Sequence, residues 1–107
     1  AAIALVKETG KPMMIDFTAA WCAACKELDN KTFPVPEVSA ELAKFVLVKI
    51  DCTEESPENA ALQKKYGSKS LPTVAFVTKD GTLLSDLTLY TFEEPAEFLK
   101  RLAKVPR

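Results

Sequence analysis

The chain has 107 residues, 48% of them hydrophobic, and a formal net charge of −1 at pH 7. That is enough for one domain with a modest core, and so balanced a charge gives no sign of nucleic acid or an anionic membrane as a partner. No apolar run reaches the roughly 18 residues of a membrane span, and the absence of histidine removes Ser-His and Cys-His dyads and histidine metal ligands together.

Residues 1–9 place Ile3, Leu5 and Val6 ahead of Lys7-Glu8-Thr9-Gly10 and read as a short helix closed by Gly10. This opening has no basic stretch and is too short for a signal peptide. It begins at Ala1 rather than Met, as a mature chain or an excised domain would. Lys11-Pro12 turns into a first strand, Met13 to Thr18, apolar on both faces like a buried central strand. Asp16 interrupts it. A carboxylate there is costly unless paired or protonated, so Asp16 is either solvent-accessible at an edge or a proton-handling group.

A helix over 22–31 follows and stops before Pro34 and Pro36. Pro36 opens a second helix with Val38, Leu42 and Phe45 facing inward. Phe45 to Ile50 reads as the second strand. Ser56-Pro57-Glu58 starts another helix, with Ser as N-cap, Pro at N1 and an acid in the first turn. Lys64-Lys65 and Gly67 end it. Thr73 to Thr78 is a third strand and Lys79-Asp80-Gly81 a tight turn. Thr82 to Leu89 should return as a fourth strand, because Asp-Gly between two apolar runs is a strong hairpin signal. Glu94-Pro95 opens a last helix with Phe98, Leu99 and Leu102 on its buried side.

The expected order is α-β-α-α-β-α-β-β-α in a single domain, 1–107. Helices join the first two strands, which should therefore run parallel through a right-handed crossover. The last two strands should form an antiparallel hairpin. The expected fold is α/β: a mixed four-stranded sheet, with room for a fifth short strand, flanked by helices on both faces.

The chemistry concentrates at Trp21-Cys22-Ala23-Ala24-Cys25. A strand that hands the chain to a helix here leaves Cys22 at the helix N-terminus, where unpaired N–H groups and the helix dipole favour a thiolate. Residues i and i+3 share a helix face about 5–6 Å apart, the Cα separation a disulfide needs. The competing reading is half of a zinc site. It would need four ligands, and the chain offers only Cys52 and a carboxylate besides.

With Leu71-Pro72-Thr73, the segment Asp16-Phe17-Thr18-Ala19-Ala20-Trp21-Cys22-Ala23-Ala24-Cys25-Lys26 resembles the two signatures of the thioredoxin superfamily. Lys11-Pro12-Met13-Met14-Ile15-Asp16, Cys25-Lys26-Glu27 and Thr32-Phe33-Pro34-Val35-Pro36-Glu37-Val38 make it most similar to the C-terminal thioredoxin-like domain of the DsbD family of bacterial thiol:disulfide interchange proteins. The resemblance implies a thioredoxin fold and a protein-disulfide reductase. It would be excised from a longer membrane protein and linked to cytochrome c biogenesis. A membrane-embedded domain would supply its electrons, and the N-terminal domain of the same protein would receive them, at the periplasmic face of a bacterial inner membrane. No cofactor or metal is expected beyond the Cys22–Cys25 disulfide. Nor is nucleic-acid binding or membrane insertion of this domain, which should be a monomer. The alternatives are a stand-alone thioredoxin-like reductase or oxidase, and a non-catalytic binding module.

By the same resemblance Cys22 is the exposed attacking cysteine and Cys25 the buried resolving one. Asp16 matches the family's buried acid and Glu27 a nearby acid; together they should oppose the helix dipole and raise the Cys22 pKa. Trp21, Ala23, Ala24, Leu71 and a cis Pro72 would form the partner groove, with Trp21 beside the disulfide or in the core. There are departures too. Ala23-Ala24 replaces Gly-Pro, and the lack of a His between the cysteines favours a reductant. Leu47 stands where thioredoxin has a lysine, so Asp16 should lack that partner. Tyr90, ahead of Thr91 where thioredoxin has a glycine, should narrow the groove. Cys52 reads as a small buried hydrophobe.

Overall fold

A computed structural model describes residues 10–106. The expected helix over 1–9 lies outside them. The chain order is β1 (Met13–Thr18), α1 (Ala23–Glu27) widening into a π-helical turn (Leu28–Thr32), α2 (Pro36–Leu42), β2 (Val46–Asp51), α3 (Pro57–Lys65), β3 (Thr73–Val77), a 3₁₀ turn (Ser85–Leu87) and α4 (Pro95–Ala103). The sheet order is β2-β1-β3. Central β1 pairs parallel with β2 and antiparallel with β3, and every residue of β1 and β3 is buried. β2 alternates between half-buried Val46, Val48 and Ile50 and exposed Leu47, Lys49 and Asp51, the period-2 pattern of a strand with one covered face.

The two faces of β1 carry different cores. Met14 joins Leu28, Val38, Phe76, Phe98 and Leu102 under the π turn, α2 and α4. Met13, Ile15 and Phe17 join Cys52, Tyr66 and Val77, with Leu62 of α3 packed on them. Helices therefore cover both faces, as a two-sided buried strand requires. Local chemistry sets the helix ends. The Ser56 hydroxyl accepts the Asn59 N–H at 3.1 Å, and Gly67 follows α3 at φ +74°, a conformation that costs glycine least.

The expected fourth strand is not continuous among the described residues. The turn forms, with Gly81 at φ +89°, and the chain returns alongside β3. It then touches β3 only at two isolated bridges, Val77 with Leu83 and Val74 with Leu89. Between them Ser85–Leu87 coils into the 3₁₀ turn. Ser and Asp side chains compete with ladder bonding and favour turns, which outweighs the apolar residues around them. The bulge is held from behind: Arg101 of α4 donates to the Leu87 carbonyl at 2.8 Å and bonds both Glu93 carboxylate oxygens at 2.8 Å. Thr32, fully buried in the π turn, donates to the Glu93 carbonyl at 2.6 Å.

The Arg101–Glu93 pair is largely buried, so removing one partner strands the other charge. Arg101→Met should lower unfolding stability by about 1–3 kcal/mol, read as a reduced urea midpoint at unchanged m-value.

Candidate active site

β1 delivers the chain to the site. After Thr18 the backbone turns, and the Cys22 N–H bonds the Ala19 carbonyl at 3.1 Å. Cys22 is extended (φ −91°, ψ 105°) and caps α1: its Sγ accepts the Cys25 N–H at 3.2 Å. The sulfur thus occupies the position of an N-capping oxygen, facing a backbone donor at the positive end of the helix. Cys22 and Cys25 are joined in a disulfide with Cα atoms 5.3 Å apart. Cys22 is 6% exposed and Cys25 2%. The expected exposed cysteine is therefore nearly covered in the disulfide form, because Ala19, Ala24 and Leu71 pack around the sulfurs. Ala23 beside them is exposed.

The Leu71–Pro72 peptide is cis, Pro72 is buried, and Leu71 lies against the cysteines. Trp21 is not a core residue: it is 65% exposed, and its indole N–H bonds the Thr53 carbonyl at 3.3 Å. Thr53 is the anchor that sequence reasoning missed. Its hydroxyl also accepts the Ala20 N–H at 2.8 Å, and it is fixed in turn by two bonds to the Asp51 carboxylate, which they hold below the usual carboxylate range. Nothing in local sequence marks Thr53; only the end of β2 beside β1 brings it under Trp21. Tyr90 is exposed and donates to the Gly67 carbonyl at 3.4 Å, tying the return segment to the end of α3.

Asp16 lies on the β1 face that carries Met14, which packs with Leu28. One helical turn back from Leu28 is Cys25, and two residues along the strand from Met14 is Asp16. The carboxyl is 7% exposed and is pushed up to about 6, first by burial, then by the nearby Asp29, against the pull of Lys49. Glu27 pairs with Lys31 at 3.4 Å on the helix surface, and an acid that acts on Asp16 is Asp29. Leu47 is exposed, yet Asp16 does not lack a cation: Lys49 pairs with it in register and bonds Asp29 at 3.1 Å. Cys52 is free and buried in the other core, its thiol pushed up by burial and by Asp51. It does not converge with the pair: among the described residues no three Cys, Asp or Glu side chains group as metal ligands.

Because Asp16 binds its proton more tightly folded (about 6) than at its ordinary 3.8, the folded state gains protons between those values and loses stability as pH rises through them. Ionised Asp16 therefore costs about 2–3 kcal/mol at pH 7. Asp16→Asn should be more stable than wild type at pH 7 by about that amount, and the gain should vanish near pH 4; denaturant unfolding at the two pH values measures it.

No helix of the described residues is long and apolar enough to cross a membrane. Residues 1–106 match the family model of the thioredoxin-like domain. The chain is 37% identical to the thiol:disulfide interchange protein DsbD of Vibrio vulnificus over 96% of its own length and 17% of that protein's. For the Yersinia enterocolitica DsbD the figures are 38%, 97% and 18%. The chain thus spans about a sixth of these relatives. Among solved structures it resembles the oxidised C-terminal domain of Neisseria meningitidis DsbD, with TM-score 0.88 and 32% identity over 98% of this chain and 90% of that one. A thioredoxin from Thermus thermophilus follows at TM-score 0.80 and 30% identity, over 96% and 79%. With its redox group built from its own two cysteines, the chain belongs to the thioredoxin-like domains, and within them to the thiol–disulfide oxidoreductase domains of the DsbD C-terminal type.

Proposed function

We propose that this domain is the reductant in a relay. It takes electrons from a membrane-embedded domain of the protein it belongs to and passes them to a partner domain on the periplasmic face of a bacterial inner membrane. The observation that carries this reading is the capped, closed Cys22–Cys25 pair just beyond a central strand that holds a buried acid.

In the reduced domain the Cys22 thiolate attacks one sulfur of the partner disulfide. The other partner sulfur leaves with the electron pair and takes up a proton. Cys25 then gives its proton to the Asp16 carboxylate and attacks Cys22 Sγ. The bond between Cys22 and the partner breaks, the partner sulfur leaves with the electron pair and takes up a proton so that the partner departs as a dithiol, and the Cys22–Cys25 disulfide forms. Two electrons have moved and no other cofactor takes part. Exchange with another dithiol restores the pair. Trp21, Ala23, Ala24, Leu71 and Pro72 frame the surface where the partner docks, and the exposed side chain of Ala23 is small. Buried Asp16 disfavours a free thiolate, which suits a group that reacts on docking rather than with any disulfide it meets.

Thiol trapping in a dithiol buffer should give a reduction potential near or below about −270 mV, the value of thioredoxin. A potential towards about −120 mV, that of a strong oxidant, would reverse the direction of electron flow and sink the proposal. In a second experiment, Cys25→Ser should accumulate a mixed disulfide with the partner domain and Cys22→Ser should not. Accumulation through Cys25 instead would exchange the two roles.

A further inference from the structure

The helical run that begins at Cys22 ends in the π turn, and Thr32 at that end is fully buried. A threonine inside a helix commonly gives its hydroxyl hydrogen to the carbonyl one turn back. Here the Leu28 carbonyl takes the Phe33 N–H at 2.9 Å, and the Thr32 hydroxyl reaches out of the helix to the Glu93 carbonyl at 2.6 Å. Glu93 is held in turn, because both its carboxylate oxygens bond Arg101 of α4.

These bonds lie on a ring that passes through the redox site. From Glu93 the chain runs back to Leu89, which exchanges two backbone bonds with Val74, at 2.8 and 2.9 Å. Val74 follows Leu71-Pro72-Thr73, and Leu71 packs on Cys22 and Cys25. Pairing of β3 with β1 fixes the Leu71 side of this seam. The cysteine side is a helix joined to β1 by one short turn, so its tilt is decided at its far end. Apolar packing there, Phe33 against Phe98 at 5.4 Å, is non-directional. The Thr32 bond is directional. The seam it controls matters because Leu71 meets the cysteines as an apolar side chain, and Cys22 is only 6% exposed beneath its neighbours.

We propose that Thr32 is a positioning residue of the redox site: by holding Glu93, its hydroxyl keeps the helix closed against Leu71 and so shields the Cys22–Cys25 disulfide from small thiols. This rests on disulfide exchange at that pair and not on the direction of the relay, which the reduction potential tests separately.

The test is the rate at which dithiothreitol reduces the oxidised chain, followed by acid quenching and alkylation. One thiolate of the probe attacks Cys22 Sγ, and Cys25 leaves with the electron pair and takes up a proton. The second probe thiol then displaces Cys22, which is protonated in turn, and the probe departs as its cyclic disulfide. Thr32→Val keeps the shape and removes the donor, and should speed reduction about three- to tenfold. Thr32→Ser keeps the donor and should restore the wild-type rate. Arg101→Met, which frees Glu93 from the other side, should also speed it. Ser56→Ala removes the cap of α3, outside the ring, and with urea added to match each variant's unfolding stability it reports what instability alone does. A Thr32→Val rate equal to wild type, or no faster than matched Ser56→Ala, would overturn the proposal, as would a serine that does not restore the rate. If Thr32→Val does not fold, Arg101→Met decides by the same comparison with Ser56→Ala.

Discussion

The structure depends on the junction between a fully buried central strand and the N-terminus of the helix that follows it. β1 is locked on both sides, parallel to β2 and antiparallel to β3, so the point at which the chain leaves the sheet is fixed. Cys22 sits at that point as the helix cap, with its sulfur accepting the Cys25 N–H. A capping oxygen would satisfy the same donor without any chemistry. Placing sulfur there couples a redox bond to an orphan amide and the helix dipole, and the i, i+3 spacing brings the second sulfur within bonding reach.

The acid beneath that junction works against the fold. Asp16 interrupts an otherwise apolar strand, and burial opposes its charge at neutral pH. A core selected for stability alone would hold a hydrophobe there. Neighbouring contacts offset the cost: aromatic packing of Phe76 and Phe33 with Phe98, and the Arg101 and Thr32 bonds that pin the return segment to the helices. The site surface is held with similar economy. Thr53, itself fixed by Asp51, carries both the Ala20 amide and the Trp21 indole, and so fixes an exposed tryptophan just ahead of Cys22.

Much of this was legible in one dimension because it follows from local physics. Prolines at 34, 36, 57 and 95 and the Ser56 cap mark helix ends through backbone sterics and hydrogen bonding. Alternation and apolar runs mark β1, β2 and β3. The fourth strand was misread because Leu83, Leu84, Leu87 and Leu89 look like a strand while Ser85 and Asp86 turn the chain. A helix outside the segment, through Arg101, holds that turn in place.

By itself the sequence determined the α/β class, the strand–CxxC–helix unit, the pairing of Cys22 with Cys25 and the resemblance that carries the family, since each rests on residues within a few positions of one another. Tertiary structure decided the rest. It set Asp29 beside Asp16 and brought Lys49 into register with it, from a position other than that of Leu47. It moved Trp21 to the surface on Thr53 and covered Cys22 with Ala19, Ala24 and Leu71. These outcomes depend on strand register and on which helix turn faces which strand residue. Electrostatic neighbours are set by distance through space, and distance along the chain does not encode it.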